Sequence, residues 1–131
     1  AQWIGPLEYK HSFTYTIDAA VGTAILGNSP EAFGEVWHLP TKSQPLTAQE
    51  WLNSIAEYFG TTPKAQILTP TLATLLGLFI PVLKEVKEMM YQYDRDYIFD
   101  SSKFEERFNY QPTQYKEGIR QMLETDYPKS L

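Results

Sequence analysis

The chain contains no cysteine. That excludes a disulfide framework and any thiolate metal site, and it is compatible with a reducing compartment, so a cytoplasmic location is expected. Basic residues are few. Eleven Lys and Arg stand against sixteen Asp and Glu, for a net charge of −5. Phosphate backbones demand a basic face, and no Lys/Arg cluster is present, so nucleic acid is not an expected partner. Histidine occurs twice, at His11 and His38. Nothing at ligand spacing joins the two, so no metal site is expected. His38, between Trp37 and Leu39, reads as a strand or core histidine. Long hydrophobic runs are also missing. The longest, residues 72–83 (LATLLGLFIPVL), is too short to span a bilayer and contains Gly77 and Pro81. No secretory leader is visible, and no membrane association is expected.

Three catalytic signatures are absent as well. There is no G-x-G-x-x-G or G-x-x-x-x-G-K-[ST] phosphate cradle and no G-x-S-x-G elbow. What remains is a chain of 131 residues, 43% hydrophobic and 15% aromatic. That is enough for one domain with a single core.

Local signals predict a mixed α/β fold with three to four short strands and about five helices. Residues 2–5 form a short apolar run closed by Gly5-Pro6. Residues 11–17 alternate, with Phe13, Tyr15 and Ile17 on one side, and predict a half-buried strand. Asp18 stands where the N-cap of the following helix belongs, and Gly27-Asn28 stops that helix. Residues 35–39 (EVWHL) predict another strand, cut by Pro40. The clearest start signal is Thr47 with Glu50, a capping box, flanked by a Leu46/Trp51 staple; Gly60 ends that helix. Residues 65–68 predict a third strand. Pro70 opens a helical region over 71–93, bent at Pro81. Tyr97-Ile98-Phe99 has the look of a strand. Asp100-Ser101-Ser102 offers cap oxygens to a helix carrying Phe104 and Phe108, and Tyr115, Ile119 and Met122 share a face of the last helix.

The chemistry concentrates in residues 89–113. Five carboxylates, Asp94, Asp96, Asp100, Glu105 and Glu106, could in principle supply acid–base pairs. Helix capping, a solvated helix face and pairing with Arg95 account for them more simply. Arg95 stands among Tyr91, Tyr93 and Tyr97. A guanidinium in that setting either holds a phosphate through its two-pronged face, with rings flanking a base or sugar, or makes a salt bridge to Asp94 or Asp96. These four residues form the candidate substrate-binding set. No catalytic residue is identified.

Several segments together resemble one family. Phe13-Thr14-Tyr15-Thr16-Ile17-Asp18 precedes an Ala-rich helix. Gly34-Glu35-Val36-Trp37-His38-Leu39-Pro40 follows, and then Leu46-Thr47 at a helix start. Further on come Tyr97-Ile98-Phe99-Asp100-Ser101-Ser102-Lys103, Tyr110-Gln111-Pro112-Thr113 and Glu117-Gly118-Ile119. In order and spacing these are similar to the C-terminal half of the extended short-chain dehydrogenase/reductases, the NAD(P)-dependent sugar-nucleotide epimerases, dehydratases and their relatives. The resemblance covers about residues 2–122. It implies that the chain is the C-terminal subdomain of a Rossmann-type enzyme, a single substrate-binding domain over residues 1–131. The family's glycine-rich dinucleotide turn and its Tyr-x-x-x-Lys pair are missing; Tyr91 is followed at that spacing by Arg95. The opening Ala1-Gln2-Trp3 fits a fragment that lacks an N-terminal dinucleotide-binding domain. NAD or NADP is then a cofactor of the full-length parent, with none bound by this chain.

The resemblance also implies partners and roles. The missing Rossmann domain would be a partner. Arg95, shortly before the Asp-x-Ser-Lys-like segment, would meet the diphosphate of a small-molecule substrate such as a nucleotide sugar. Asp18 would be structural. Uncovered surface left by a missing half predicts self-association. The competing expectation is an autonomous, non-catalytic interaction module that associates through the apolar helix 72–83.

Overall fold

The computed structural model describes residues 1–128. The fold is mixed α and β, dominated by helix, and divides into two compact units. One unit comprises Ala1–His11 and Leu46–Tyr97. The other comprises Ser12–Pro45 and the chain from Ile98 onward.

The first unit holds the strands. β1 (Gln2–Ile4) lies parallel to β2 (Gln66–Leu68), pairing Gln2 with Gln66, Trp3 with Ile67 and Ile4 with Leu68. A parallel pair needs a long crossover, and residues 5–65 supply it. Part of that crossover is α2 (Ala48–Tyr58). The predicted capping box is present there. Thr47 Oγ1 accepts from the Glu50 N–H at 3.2 Å, and Glu50 Oε2 accepts from the Thr47 N–H at 2.7 Å. These bonds also hold the Glu50 carboxyl below its usual pKa. The next two backbone donors, Ala48 N–H and Gln49 N–H, go to the carbonyls of Tyr9 and Leu7. The first turn of α2 is therefore saturated. The helix buries Ala48, Leu52 and Ala56. It stops where Gly60 takes φ +63° and the Thr61 N–H returns to the Ala56 carbonyl.

Residues 71–93 do not form one bent helix. They form α3 (Pro70–Leu76), α4 (Pro81–Met89) and a 3₁₀ turn, Met90–Gln92. Pro81 has no N–H to give, so it opens a new helix at its first position. The Ile80 N–H closes back on the Leu76 carbonyl. Thr69 caps α3 by accepting from the Leu72 N–H at 3.2 Å.

The second unit packs α1 (Thr16–Gly27), α5 (Ser102–Phe108) and α6 (Tyr115–Asp126). Its core contains Phe104, Tyr115, Ile119 and Leu123. Leu123 takes the buried position, and Met122 is exposed. Asp18 is buried inside the first turn of α1, whose N-cap is Tyr15. Its carboxylate accepts from the Tyr110 hydroxyl (2.8 Å), the Thr113 N–H (2.8 Å) and the Thr113 hydroxyl (2.9 Å). Gly22, one turn on, lies against Pro40, where a Cβ would stand 2.7 Å from Cδ.

Among the described residues there are two strands, fewer than the three to four expected. Residues 11–17 are not a strand. His11 makes a single bridge, to Tyr97, and the chain turns helical at Thr16 because Asp18 is drawn to Tyr110 and Thr113. Residues 35–39 make no ladder. Trp37 instead donates its indole N–H to the Ala32 carbonyl at 3.0 Å and packs on Phe104 and Phe108. Tyr97-Ile98-Phe99 is reduced to that one bridge. There are six α-helices among the described residues, and none is long and apolar enough to cross a membrane.

Thr47→Ala should destabilise the chain by about 1 kcal/mol, the usual worth of an N-cap. An unchanged denaturation midpoint would show that α2 does not depend on the box. A second outcome concerns alkaline pH. Burial, and then the bond to Asp18, raise the Tyr110 phenol from 10.0 to about 12. The neutral phenol is favoured in the folded state, so its stabilising contribution is complete below about pH 10 and is lost as pH climbs toward 12. Asp18→Asn should cost about 2 kcal/mol at neutral pH, since it leaves buried donors without a proper acceptor. It should also return the Tyr110 titration, followed by tyrosinate absorbance, toward the ordinary value.

Candidate functional site

The candidate site lies in the first unit, where α4 runs out. The 3₁₀ turn Met90–Gln92 buries Met90, and the Tyr93 N–H returns to the Met90 carbonyl. The chain then bends through Asp94-Arg95-Asp96. It is pinned to Lys10 by two bonds: the Lys10 N–H donates to Asp96 Oδ1, and the Tyr97 N–H donates to the Lys10 carbonyl, both at 2.8 Å. His11, next in the chain, donates from Nε2 to the Gln92 carbonyl at 3.0 Å and pairs with Tyr97. The His11 N–H goes to the Leu46 carbonyl. Backbone and one carboxylate thus hold the bend, and the Arg95 side chain is not needed for it.

Arg95 closes on its neighbour. Nε lies 2.5 Å from Asp94 Oδ1, and Nη2 lies 3.2 Å from Oδ2. The two side chains are 67% and 53% exposed. That bidentate bond depresses the Asp94 pKa and raises that of Arg95. Asp96 is committed to Lys10, so the guanidinium is held by one aspartate, not two. An exposed pair of this kind is weak, screened by salt and easily exchanged.

The three tyrosines differ in role. Tyr93 is half-buried and stacks on the His11 ring, with centroids 5.3 Å apart and planes 28° apart. It supports the bend from beneath. Tyr91 and Tyr97 are exposed, at the two ends of the segment that carries Arg95. The structure therefore places Tyr93 in the framework, and leaves Arg95 and Tyr91 facing solvent, with Tyr97 43% exposed.

Gly5 is a part of this framework that pattern reading treats only as a stop signal. It holds φ +75°, and a Cβ there would lie 2.9 Å from Tyr93 Cβ and 3.1 Å from the Tyr93 carbonyl oxygen. The close approach and the left-handed backbone both require glycine.

Of the remaining carboxylates, Asp100 and Glu105 do structural work, and Glu106 is exposed. Asp100 Oδ1 accepts from the Ser102 N–H at 2.9 Å and so caps α5, and its pKa is lowered by bonds from Ser102. Glu105 Oε1 lies 2.7 Å from Ser101 Oγ, which in turn accepts from the buried Thr41 N–H at 3.0 Å. His38 is exposed, with Nδ1 2.8 Å from the Asp100 carbonyl. Lys103 sits over the Trp37 ring at 4.1 Å and pairs with Glu35 at 3.0 Å. Among the described residues, no group of three or more His, Asp or Glu side chains is placed to hold a metal ion.

No family model, no curated protein and no solved structure matches the chain.

Gly5→Ala should destabilise the first unit by about 1–3 kcal/mol, through the strained backbone and the contact with Tyr93. Amide exchange should accelerate at Tyr93 and Tyr97 more than in α2. A variant as stable as the parent, with unaltered exchange at Tyr93, would mean that the close approach is not a constraint.

Proposed function

We propose that this chain is the substrate-binding C-terminal part of an NAD(P)-dependent epimerase/dehydratase- or reductase-like enzyme of the extended short-chain dehydrogenase/reductase kind, and that it catalyses nothing alone. One observation carries the reading. Apart from Asp18, α1 (TIDAAVGTAILG) is uncharged and rich in apolar residues on every side, yet only Asp18 and Gly22 are fully buried. A helix of that composition belongs inside a protein. Ile17, Ala20, Val21 and Ala24 are bare instead, and Val36, in the strand-like run without a ladder, is 83% exposed. An uncovered apolar helix is the surface expected where a packing partner such as a Rossmann sheet belongs.

In this reading Arg95 exchanges Asp94 for the diphosphate of a nucleotide-linked substrate. The planar fork that now meets a carboxylate meets phosphate oxygens equally well. Tyr91 offers a face to a base or sugar, Tyr97 borders the site, and Tyr93 keeps the segment in place. The nicotinamide cofactor belongs to the missing half, because this chain has no glycine-rich turn at a helix start to cradle its phosphates.

The test begins with the coding sequence upstream of Ala1, which should encode a G-x-x-G-x-x-G turn and a Tyr-x-x-x-Lys pair. Residues 1–131 alone should bind neither NAD(H) nor NADP(H) in a calorimetric titration. In the full-length enzyme Arg95→Ala should raise KM for a nucleotide sugar by about tenfold or more, with an unchanged melting temperature, and Arg95→Lys should recover only part of the loss. An unaltered KM would remove Arg95 from the substrate site. Tight cofactor binding by residues 1–131 would overturn the reading itself.

A further inference from the structure

A second bare surface, in the other unit, is of a different kind. Residues 65–83 carry no charged side chain. They form β2, α3 and the turn into α4, and α3 packs directly on α4. The outer side of this hairpin exposes Leu72, Leu75, Leu76, Leu78, Phe79, Ile80, Val82 and Met89. Phe79 is 85% exposed, Leu78 76% and Val82 62%. Together these eight side chains present on the order of 800 Å² of apolar surface, the share that one partner gives to a standard-size interface. Monomers rarely expose so much in one place.

The geometry points to a second copy of this chain as the occupant, docked through the α3–α4 hairpin in a symmetric pair. Two arguments select it. A chain with a net charge of −5 repels its own copy over most of its surface. Residues 65–83 let two copies meet without bringing like charges together, and juxtaposed like charges cost several kcal/mol; the bare face of α1 is uncharged too, but its Ile17 and Val21 are 57% and 39% exposed against 85% and 76% for Phe79 and Leu78. The area is also what each half of a two-fold dimer must supply, and an uncharged apolar patch is complementary to itself. A dinucleotide-binding half is not required, so the inference stands or falls apart from the reading of function above.

Sedimentation equilibrium on residues 1–131 tests it. The wild-type chain should be a dimer at micromolar concentration. Phe79→Glu and Leu78→Glu should each weaken the dimer by at least about tenfold without altering the circular dichroism spectrum. Val21→Glu, on the bare face of α1, should leave it intact. Because the chain has no cysteine, Leu78→Cys gives a single reactive position that should cross-link under mild oxidation, whereas Glu124→Cys on α6 should not. A monomer at high concentration would overturn the inference. So would a dimer broken by Val21→Glu but indifferent to both glutamates at 78 and 79, since the contact would then lie on α1. A monomer that floats with neutral phosphatidylcholine vesicles, and loses that property with Phe79→Glu, would assign the surface to lipid and overturn it equally.

Discussion

The buried carboxylate of Asp18 sets the order of the second unit. A charge out of water is tolerated only when donors surround it. Among the described residues no cation pairs with Asp18; its carboxylate accepts three hydrogen bonds, from Tyr110 and Thr113, more than ninety residues away. That fixes several things at once. Residue 18 must face the 110–113 segment, so the backbone is already helical at Thr16. A carboxylate in the first turn also faces the positive end of the helix dipole, which favours α1 starting there. The 110–113 segment is held in turn, and α6 begins directly after it. Gly22 lies on the same side of α1 and lets Pro40 come close. One polar cluster thus gathers the start of α1, the entry to α6 and the end of the 35–40 run.

How legible this was depended on range. The capping box at Thr47, the stop at Gly60 and the start of α5 at Asp100-Ser101-Ser102 are local, and the sequence displays them. The strands at 2–5 and 65–68 were readable as apolar runs closed by Gly or Pro. The alternation of Phe13, Tyr15 and Ile17 misled because it records which sides differ, not whether a neighbour exists to bond with. A strand needs a partner strand, and among the described residues 11–17 only His11 makes a β-bridge. Asp18 looked like a cap because its partners are distant in the chain. The break at Pro81 was visible; that two helices of seven and nine residues would result was not.

The candidate site shows the same division. Arg95 stood out by its neighbours in sequence, and its pairing was undecided between two aspartates. On a strand, adjacent side chains point apart and an i,i+1 pair cannot close. Residues 93–95 form a bend, so Arg95 reaches Asp94 while Asp96 turns back to Lys10. The sequence held no sign of the stack between Tyr93 and His11, which required knowing that residues 10–11 and 96–97 run side by side.

The separation of side chain from framework at Arg95 is what makes a ligand role physically economical. A structural arginine is usually buried, with its donors divided among several acceptors, and its loss strands those acceptors. Arg95 has neither property. The bend is held by the bonds at Lys10, by the His11–Gln92 contact and by the stack of Tyr93 on His11, none of which uses the Arg95 side chain. Its one carboxylate partner is the residue before it, also in water, and costs little to leave solvated. A side chain outside the bonds that hold its backbone can trade one oxygen pair for another without breaking them. Binding energy gained there is not lost to refolding, which is the condition under which a surface arginine can select an anionic ligand.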